Sequence, residues 1–413
     1  MFVFPGQGSQ YVGMGSDLCD QFEVAQRLYE QANDVLGFDV QKLSFEGPDE
    51  DLTLTRNTQP ALLTHSIACL EVFKELTDGE VTPAFAAGHS LGEYTALVAS
   101  GALSFEDALR LVRQRGELMG KFGRGKMLAF KQDLETVRGF ADRFFCGIGG
   151  CNLPEQTVVG GTEEDLAALT AYAAEQGSKG IPLKTEGAFH TYLMVSAAEA
   201  FRPALAAANI QPLQCTVLSN YTGEYHEDDA ERIKAYLFFQ LFNPVKWIWG
   251  VQQAINDGVN LIVEFGGGIG RGEGPENKRP NLQSITKKAF QGAGKHGLHF
   301  PAINVGTLRE TARLLKLLGR VEENNGASRA GDELDLMLPI ANGVPVTTAV
   351  NTLKKAEGSG LGTHVHLVAE PAEETQAHLA KASGEESARP EPYVKVEEGL
   401  LTGEAMLARI EQV

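Results

Sequence analysis

Cations are scarce in this chain, 36 Lys and Arg against 54 Asp and Glu for a formal charge of −18. A phosphate-binding surface needs clustered positive side chains, so this balance argues against nucleic acid as a partner. Long apolar runs are missing as well. No stretch approaches the roughly eighteen consecutive apolar residues of a membrane span, and no membrane association is expected. Cysteine is sparse and unpatterned, with five residues at positions 19, 69, 146, 151 and 215 and no C-x-x-C pair. An odd, scattered set argues for free thiols in a reducing cytoplasm and against disulfides or zinc. A strand that starts at Phe2 leaves no room for a charged leader, so a secretory signal is not expected and the expected location is cytoplasmic.

Enough apolar material remains for a large core: 43% of the 413 residues are hydrophobic, and that length suits two or three units of ordinary size. The most informative stretch is Gly88-His89-Ser90-Leu91-Gly92, which follows the short apolar run Ala84 to Ala87. A G-x-S-x-G between a strand and a helix forms a tight turn whose small flanking residues let the serine hydroxyl project clear of the backbone. The helix behind it aims its N-terminal N–H groups at a developing oxyanion. Leu91, Thr95, Val98 and Ala99 fall on adjoining helical faces, and Gly101 supplies a stop.

The chain also opens Met1-Phe-Val-Phe-Pro-Gly-Gln-Gly-Ser-Gln10, a strand running into a glycine-rich turn. Together with Gly88-His-Ser-Leu-Gly-Glu-Tyr-Thr-Ala96 it resembles the malonyl-CoA:acyl carrier protein transacylase family, the acyltransferases of fatty acid and polyketide synthesis. Four further segments fit in the expected order: Asn57-Thr-Gln-Pro-Ala-Leu-Leu63, Arg113-Gln-Arg-Gly-Glu-Leu-Met119, Gly187-Ala-Phe-His-Thr-Tyr-Leu-Met194 and Gln240-Leu-Phe-Asn-Pro-Val-Lys-Trp247. The resemblance covers roughly the first 300 residues and stops before the last hundred.

What the resemblance implies is an α/β protein with an α/β-hydrolase-like core (residues 1–123 and 188–305) and an inserted ferredoxin-like α+β subdomain (124–187). Residues 306–413 are left as an extension without an assigned role, partly linker-like. Ser90 is the implied nucleophile and His190 its base, with the imidazole oriented by the main-chain carbonyl of Gln240 and no acidic third member. The backbone N–H groups of Gln7 and Leu91 form the implied oxyanion hole. Arg115 is expected to grip the free carboxylate of a malonyl group, because a guanidinium fork matches a carboxylate where a lysine offers only a point charge. Gln59, His89, Met119 and Phe189 are expected around the acyl pocket. A phenylalanine at 189 leaves little room for a substituent on the malonyl α-carbon, a preference worth about 1–3 kcal/mol per methyl.

The expected substrates are malonyl-CoA, or the CoA ester of a closely related carboxylated acyl group, and the phosphopantetheine thiol of an acyl carrier protein, with polyketide synthase components as further partners. No metal and no bound cofactor are expected, since the CoA thioester is itself a substrate. Acyl carrier proteins are typically acidic, so docking onto so acidic a chain needs a local basic patch. Arg113, Lys121, Arg124 and Lys126 form one candidate, and Lys278, Arg279, Lys287 and Lys288 another. Two rival readings stand beside this one. A proofreading acyl hydrolase on the same fold would use water as acceptor, and Arg115 argues against it. A non-catalytic recruitment protein is opposed by the intact Ser90 and His190.

Residue patterning adds boundaries. Residues 20 to 123 read mainly as helices. Lys126 to Phe130, Gln156 to Gly160 and Gly180 to Lys184 then read as strands, around helices at Leu134 to Phe144 and Asp165 to Gln176, which suggests a small α+β insert. Asn260 to Phe265 reads as a buried strand, and Gly266-Gly-Gly-Ile-Gly270 as a tight turn, not a dinucleotide fingerprint. Arg271 to Pro280 departs from the family pattern, and helical spacing resumes near Leu282. A helix is expected from Leu308 to Leu318, ended by Gly319. Beyond it lie short apolar segments (Leu336 to Ile340, Val344 to Val350, Val365 to Val368) and a polar stretch, 370 to 392, that reads as a mobile linker. His364 and His366 share one face of a strand-like segment, and a partly exposed strand is favoured there over a metal site.

Overall fold

A computed structural model describes residues 1–326, 334–340, 363–369 and 393–396. Its strands are, in chain order, β1 (Phe2–Phe4), β2 (Phe85–Gly88), β3 (Lys126–Phe130), β4 (Gly147–Leu153), β5 (Gln156–Gly161), β6 (Ile181–Leu183), β7 (Thr216–Val217), β8 (Leu261–Phe265), β9 (Leu298–Ala302), β10 (Leu334–Ile340), β11 (Thr363–Ala369) and β12 (Tyr393–Val396).

Five of these make a wholly parallel sheet in the order β7-β2-β1-β8-β9. β1 lies at its centre, and all three of its residues are buried, as an apolar strand covered on both faces must be. Helices supply the cover. The helix Thr55–Leu76 is buried around most of its circumference, which fits a segment apolar or small on every side. Phe73 from this helix meets Phe2 and Phe265 edge to face at 5.9 and 5.2 Å, and Phe2 meets Phe265 at 4.8 Å. Such pairs contribute about 0.5–1.5 kcal/mol each beyond burial and pin the helix to β1 and β8. The architecture is therefore α/β, with helices on a parallel sheet.

A second sheet, β4-β5-β3-β6, is antiparallel throughout. Helices Leu134–Arg143 and Glu163–Glu175 pack together on one face of it, where Val137, Phe140, Leu166 and Leu169 meet Leu128, Phe130 and Val159. Asp133 and Thr162 cap these helices by accepting from the N–H groups of Thr136 and Asp165, so the second helix begins two residues before the sequence-based boundary. The element order is strand–helix–strand–strand–helix–strand, one strand more than the patterning predicted.

The additional strand is β4. Its sequence, Gly147-Ile-Gly-Gly-Cys-Asn-Leu153, has neither β-branched alternation nor a long apolar run, and glycine is depleted in strands. Close approach explains the composition. A Cβ on Gly149 would lie 2.5 Å from Met127 Cε and 3.0 Å from the carbonyl oxygen of Phe189. β4 is also bonded to the main core, since Cys151 N–H donates to Val245 O at 2.9 Å and Val245 N–H to Gly149 O at 3.1 Å.

The segment after β8 carries one turn of 3-10 helix, Pro275–Asn277, before the helix Gln283–Gly292. Two compact parts divide the chain, Met1–Lys316 and Leu317–Val413. The helix Val305–Gly326 runs on through Gly319, where the sequence reading ended it; a single helical glycine costs only about 1 kcal/mol and does not compel a stop. In the second part, β10 pairs parallel with β11 and β11 antiparallel with β12. His364 and His366 lie on β11, and no group of three or more metal-ligating side chains occurs among the described residues. Val344 to Val350 and 370 to 392 lie outside the described residues. All five cysteines are free, and no helix among the described residues is long and apolar enough to cross a membrane.

Candidate active site

β2 delivers the chain to Ser90, and the helix Gly92–Ala99 leads it away. Ser90 has φ +53°, a left-handed conformation that costs a non-glycine residue about 1–3 kcal/mol and persists only where its surroundings enforce it. Here they do. A Cβ on Gly88 would lie 1.8 Å from the carbonyl carbon of Gly92, and one on Gly6 would lie 2.4 Å from His89 O. Both glycines are therefore obligatory to the packing of the turn. Asn220 clamps it from outside, accepting the Ser90 N–H at 2.6 Å and donating to Gly88 O at 2.7 Å.

His190 reaches the same point from the loop after β6. Its Nε2 lies 2.7 Å from Ser90 Oγ, and its Nδ1 lies 2.7 Å from Gln240 O. A carbonyl oxygen only accepts, so Nδ1 carries the proton and Nε2 is left as the acceptor of the serine hydroxyl. Burial, and then the nearby Arg115 cation, lower the His190 pKa to about 3. The imidazole is thus neutral at physiological pH, and no carboxylate among the described residues bonds it.

Arg115 projects from the helix Phe105–Phe122 and is only 1% exposed. One terminal nitrogen donates to Gln59 Oε1 at 2.9 Å, and the other to Gln240 Oε1 at 2.9 Å and Ser90 Oγ at 3.2 Å. Its Nε is buried without a partner. Burial pulls the guanidinium pKa down, yet from so high a starting value that the group stays charged. Every acceptor it touches is a neutral oxygen, which leaves a buried cation beside the nucleophile with unspent charge and an unspent donor.

These groups open onto a cavity of ≈590 Å³ whose wall includes Gln7, Gln59, His89, Ser90, Leu91, Arg115, Met119, Phe189 and His190. Gln240 is fully buried and lies behind that wall, touching His190 with its carbonyl oxygen and Arg115 with its side chain. Among the described residues the backbone N–H groups of Gln7 and Leu91 donate to no acceptor, and both residues line the same cavity as Ser90. Gln59 Nε2 also meets Met119 Sδ at 3.4 Å, and His89 Nε2 is held by Asn152 Oδ1 at 2.7 Å. Met127, Gly149 and Gly150 complete the wall from the antiparallel sheet.

Sequence reasoning missed several of these neighbours. Asn220, Asn152 and Glu93 carry no spacing signal, because each acts at a distance of more than sixty residues along the chain. The two cationic clusters fare unequally. Arg113 is engaged by Glu117, Arg56 O and Asn57, whereas Lys121, Arg124 and Lys126 are exposed, as are Arg279, Lys287 and Lys288.

Residues 1–266 match the acyl transferase domain family. A malonyl CoA-acyl carrier protein transacylase of Bacillus subtilis (strain 168) is 43% identical over 277 residues, which span 65% of this chain and 86% of that protein. Among solved structures, a malonyl CoA-acyl carrier protein transacylase from Clostridium perfringens superimposes with a TM-score of 0.69 at 29% identity, covering 78% of this chain and 99% of that one. A structure of a type II PKS acyl-carrier protein in complex with its malonyl-transacylase gives a TM-score of 0.68 at 31% identity, covering 76% of this chain and 98% of the matched one.

Proposed function

The chain belongs to the acyl transferase family, and from that premise we propose that it moves a malonyl group from CoA to the phosphopantetheine thiol of an acyl carrier protein. The observation that carries the proposal is the meeting of Ser90 Oγ with His190 Nε2 at 2.7 Å and with the buried Arg115 guanidinium at 3.2 Å. An acyl group on that oxygen sits beside a cation, so an acyl chain ending in a carboxylate is favoured over a neutral one.

In the first step Ser90 Oγ attacks the thioester carbonyl while His190 Nε2 takes its proton. The oxygen of the tetrahedral intermediate is held by the N–H groups of Gln7 and Leu91. The C–S bond then breaks, and CoA leaves as a thiol with the proton from His190. In the second step the carrier thiol gives its proton to His190 and attacks the malonyl-serine ester, and the proton returns to Ser90 Oγ. Arg115 holds the malonyl carboxylate through both steps. Gln59 positions the guanidinium, Asn152 orients His89 at the cavity wall, and Met119 and Phe189 limit the space around the α-carbon. No bound metal or cofactor enters this scheme, in which the CoA thioester is a substrate.

The finer architecture we propose is an α/β-hydrolase-like core built from 1–123 and 188–305 around a ferredoxin-like subdomain at 124–187, followed by the extension 306–413, to which no role is assigned. The strand order β4-β5-β3-β6 supports the subdomain reading. A cytoplasmic location and polyketide synthase components as further partners belong to the same proposal. Its test is intact-protein mass spectrometry after malonyl-CoA treatment. One malonyl adduct is expected on the wild type and none on Ser90→Ala; an adduct that survives in the variant overturns the assignment.

A further inference from the structure

Glu93 lies three residues beyond the nucleophile, on the elbow helix, and is fully buried. Its carboxylate gathers three donors from separate segments of the chain. Asn220 N–H and Gln240 Nε2 donate to Oε2 at 3.1 and 2.9 Å, and His226 Nε2 lies 2.7 Å from Oε1. Glu93 touches none of the reacting atoms. The residues it holds bond the side chains and backbone that carry those atoms. Asn220 bonds the Ser90 N–H, and Gln240 bonds His190 Nδ1, Arg115 and Ser90 O.

Hydrogen bonding alone does not call for a charge here. A glutamine at this position presents one oxygen to Asn220 N–H and Gln240 Nε2, and its amide nitrogen can face His226 in the other tautomer. Burying a carboxylate costs several kcal/mol more than burying an amide unless its charge is used. The site has a use for it. Acylation puts a proton on His190 while Arg115 is already cationic, so two positive charges come to share a water-poor pocket in which Coulomb effects are strong. Desolvation and Arg115 already hold His190 far below the ordinary imidazole range. In a serine triad the third acid supports the imidazolium; His190 has a neutral carbonyl in that place.

We propose that Glu93 is the buried counter-charge of the Ser90–His190 pair, a positioning residue that acts through Gln240 to support the imidazolium at His190 and to balance Arg115 without occupying its fork. The role toward Arg115 rests on the malonyl reading, whereas the role toward His190 does not. Keeping the carboxylate one residue away has a clear consequence. A direct Arg115–Glu93 pair would neutralise the cation that a substrate carboxylate needs, but a pair relayed by the Gln240 amide puts only a neutral oxygen on one of its donors.

The test compares full-length Glu93→Gln, which keeps size and loses charge, with Glu93→Asp, which keeps charge and loses reach. Ser90 is titrated with an uncharged fluorophosphonate, which needs the dyad and not the carboxylate clamp, and malonyl transfer is measured in parallel. Glu93→Gln is expected to slow fluorophosphonate labelling by about 10-fold or more, a modest share of what general-base help supplies. Its kcat for malonyl transfer should fall in step while KM stays level or drops, because Arg115 has lost its counter-charge. Glu93→Asp should label faster than Glu93→Gln. Labelling of Glu93→Gln at the wild-type rate, or Glu93→Asp labelling no faster than Glu93→Gln, overturns the proposal and makes Glu93 a packing residue. Should Glu93→Gln give no cooperative melt, Glu93→Gln combined with His226→Gln, which sets two amides face to face, takes its place against the same criteria. Failure of the malonyl reading is seen separately, as absence of a malonyl adduct on wild-type Ser90, with the fluorophosphonate comparison unaffected.

Discussion

In the proposed reaction Arg115 carries the choice of substrate, because a cation that is 1% exposed and bonded only to neutral oxygens would be paired fully when an acyl carboxylate arrives. Removing it as Arg115→Ala takes away a charge-assisted pair while acetyl groups gain room. Such a bond is worth about 1.5–3 kcal/mol, so the ratio of kcat/KM for malonyl-CoA to that for acetyl-CoA should fall about 10- to 10²-fold. A ratio that does not change returns Arg115 to a structural role and revives the hydrolase alternative. At this scale the sequence went a long way. Ser90 was legible from its flanking glycines, and His190 and Arg115 from the motifs around them. The side chain of Gln240 was not, since the resemblance concerns only its carbonyl, and Glu93 and Asn220 bond to partners far along the chain.

Elements bring these residues together by close backbone approach. The turn after β1 lies against the elbow so tightly that a Cβ on Gly6 would be 2.4 Å from His89 O. Gly6→Ala must push that turn away and carry Gln7 N–H off the oxyanion position proposed for it. A displacement of about 1 Å in catalytic groups costs as much as 10²-fold in rate, whereas overpacking at one position costs only about 1–3 kcal/mol of stability. The variant is therefore expected to stay folded, judged by its thermal melt, and to acylate Ser90 about 10²-fold more slowly; wild-type kinetics would remove the β1 turn from the oxyanion site. β4 makes the same point from the other side. Its glycines hid it from strand patterning, and they are there because the strand runs against the loop that carries Phe189 and His190.

For the molecule as a whole, buried histidines set the response to acid. His65 and His190 are each held near pKa 3 by burial, against an ordinary 6.5, and burial lowers His89 too. Unfolded, these side chains take up protons as the pH falls through about 6.5; folded, His65 and His190 resist until near 3. The unfolded state therefore binds more protons in that window, so their contribution to stability is complete above pH 6.5 and is lost as the pH falls toward 3. Each adds a slope of up to about 1.4 kcal/mol per pH unit. Denaturant melts from pH 7 to 4 should show stability falling with acid, and His190→Ala should flatten the curve by about one proton's worth. An equal slope in the variant would mean that His190 is protonated in the fold.

By itself the sequence determined that this is an acidic chain of α/β type with a serine elbow, and, through ordered motifs, which acyltransferase family it resembles. Those are local properties: a turn needs its glycines, a strand its apolar run, a motif its spacing. Tertiary structure alone decided what surrounds the nucleophile. The left-handed Ser90 is held by Asn220 from 130 residues away, His190 is oriented by a carbonyl 50 residues away, and Arg115 is left open by an amide that links it to Glu93. Electrostatics and hydrogen bonding act through space, and nothing in the order of residues records which buried charge will face which donor once the sheets have closed.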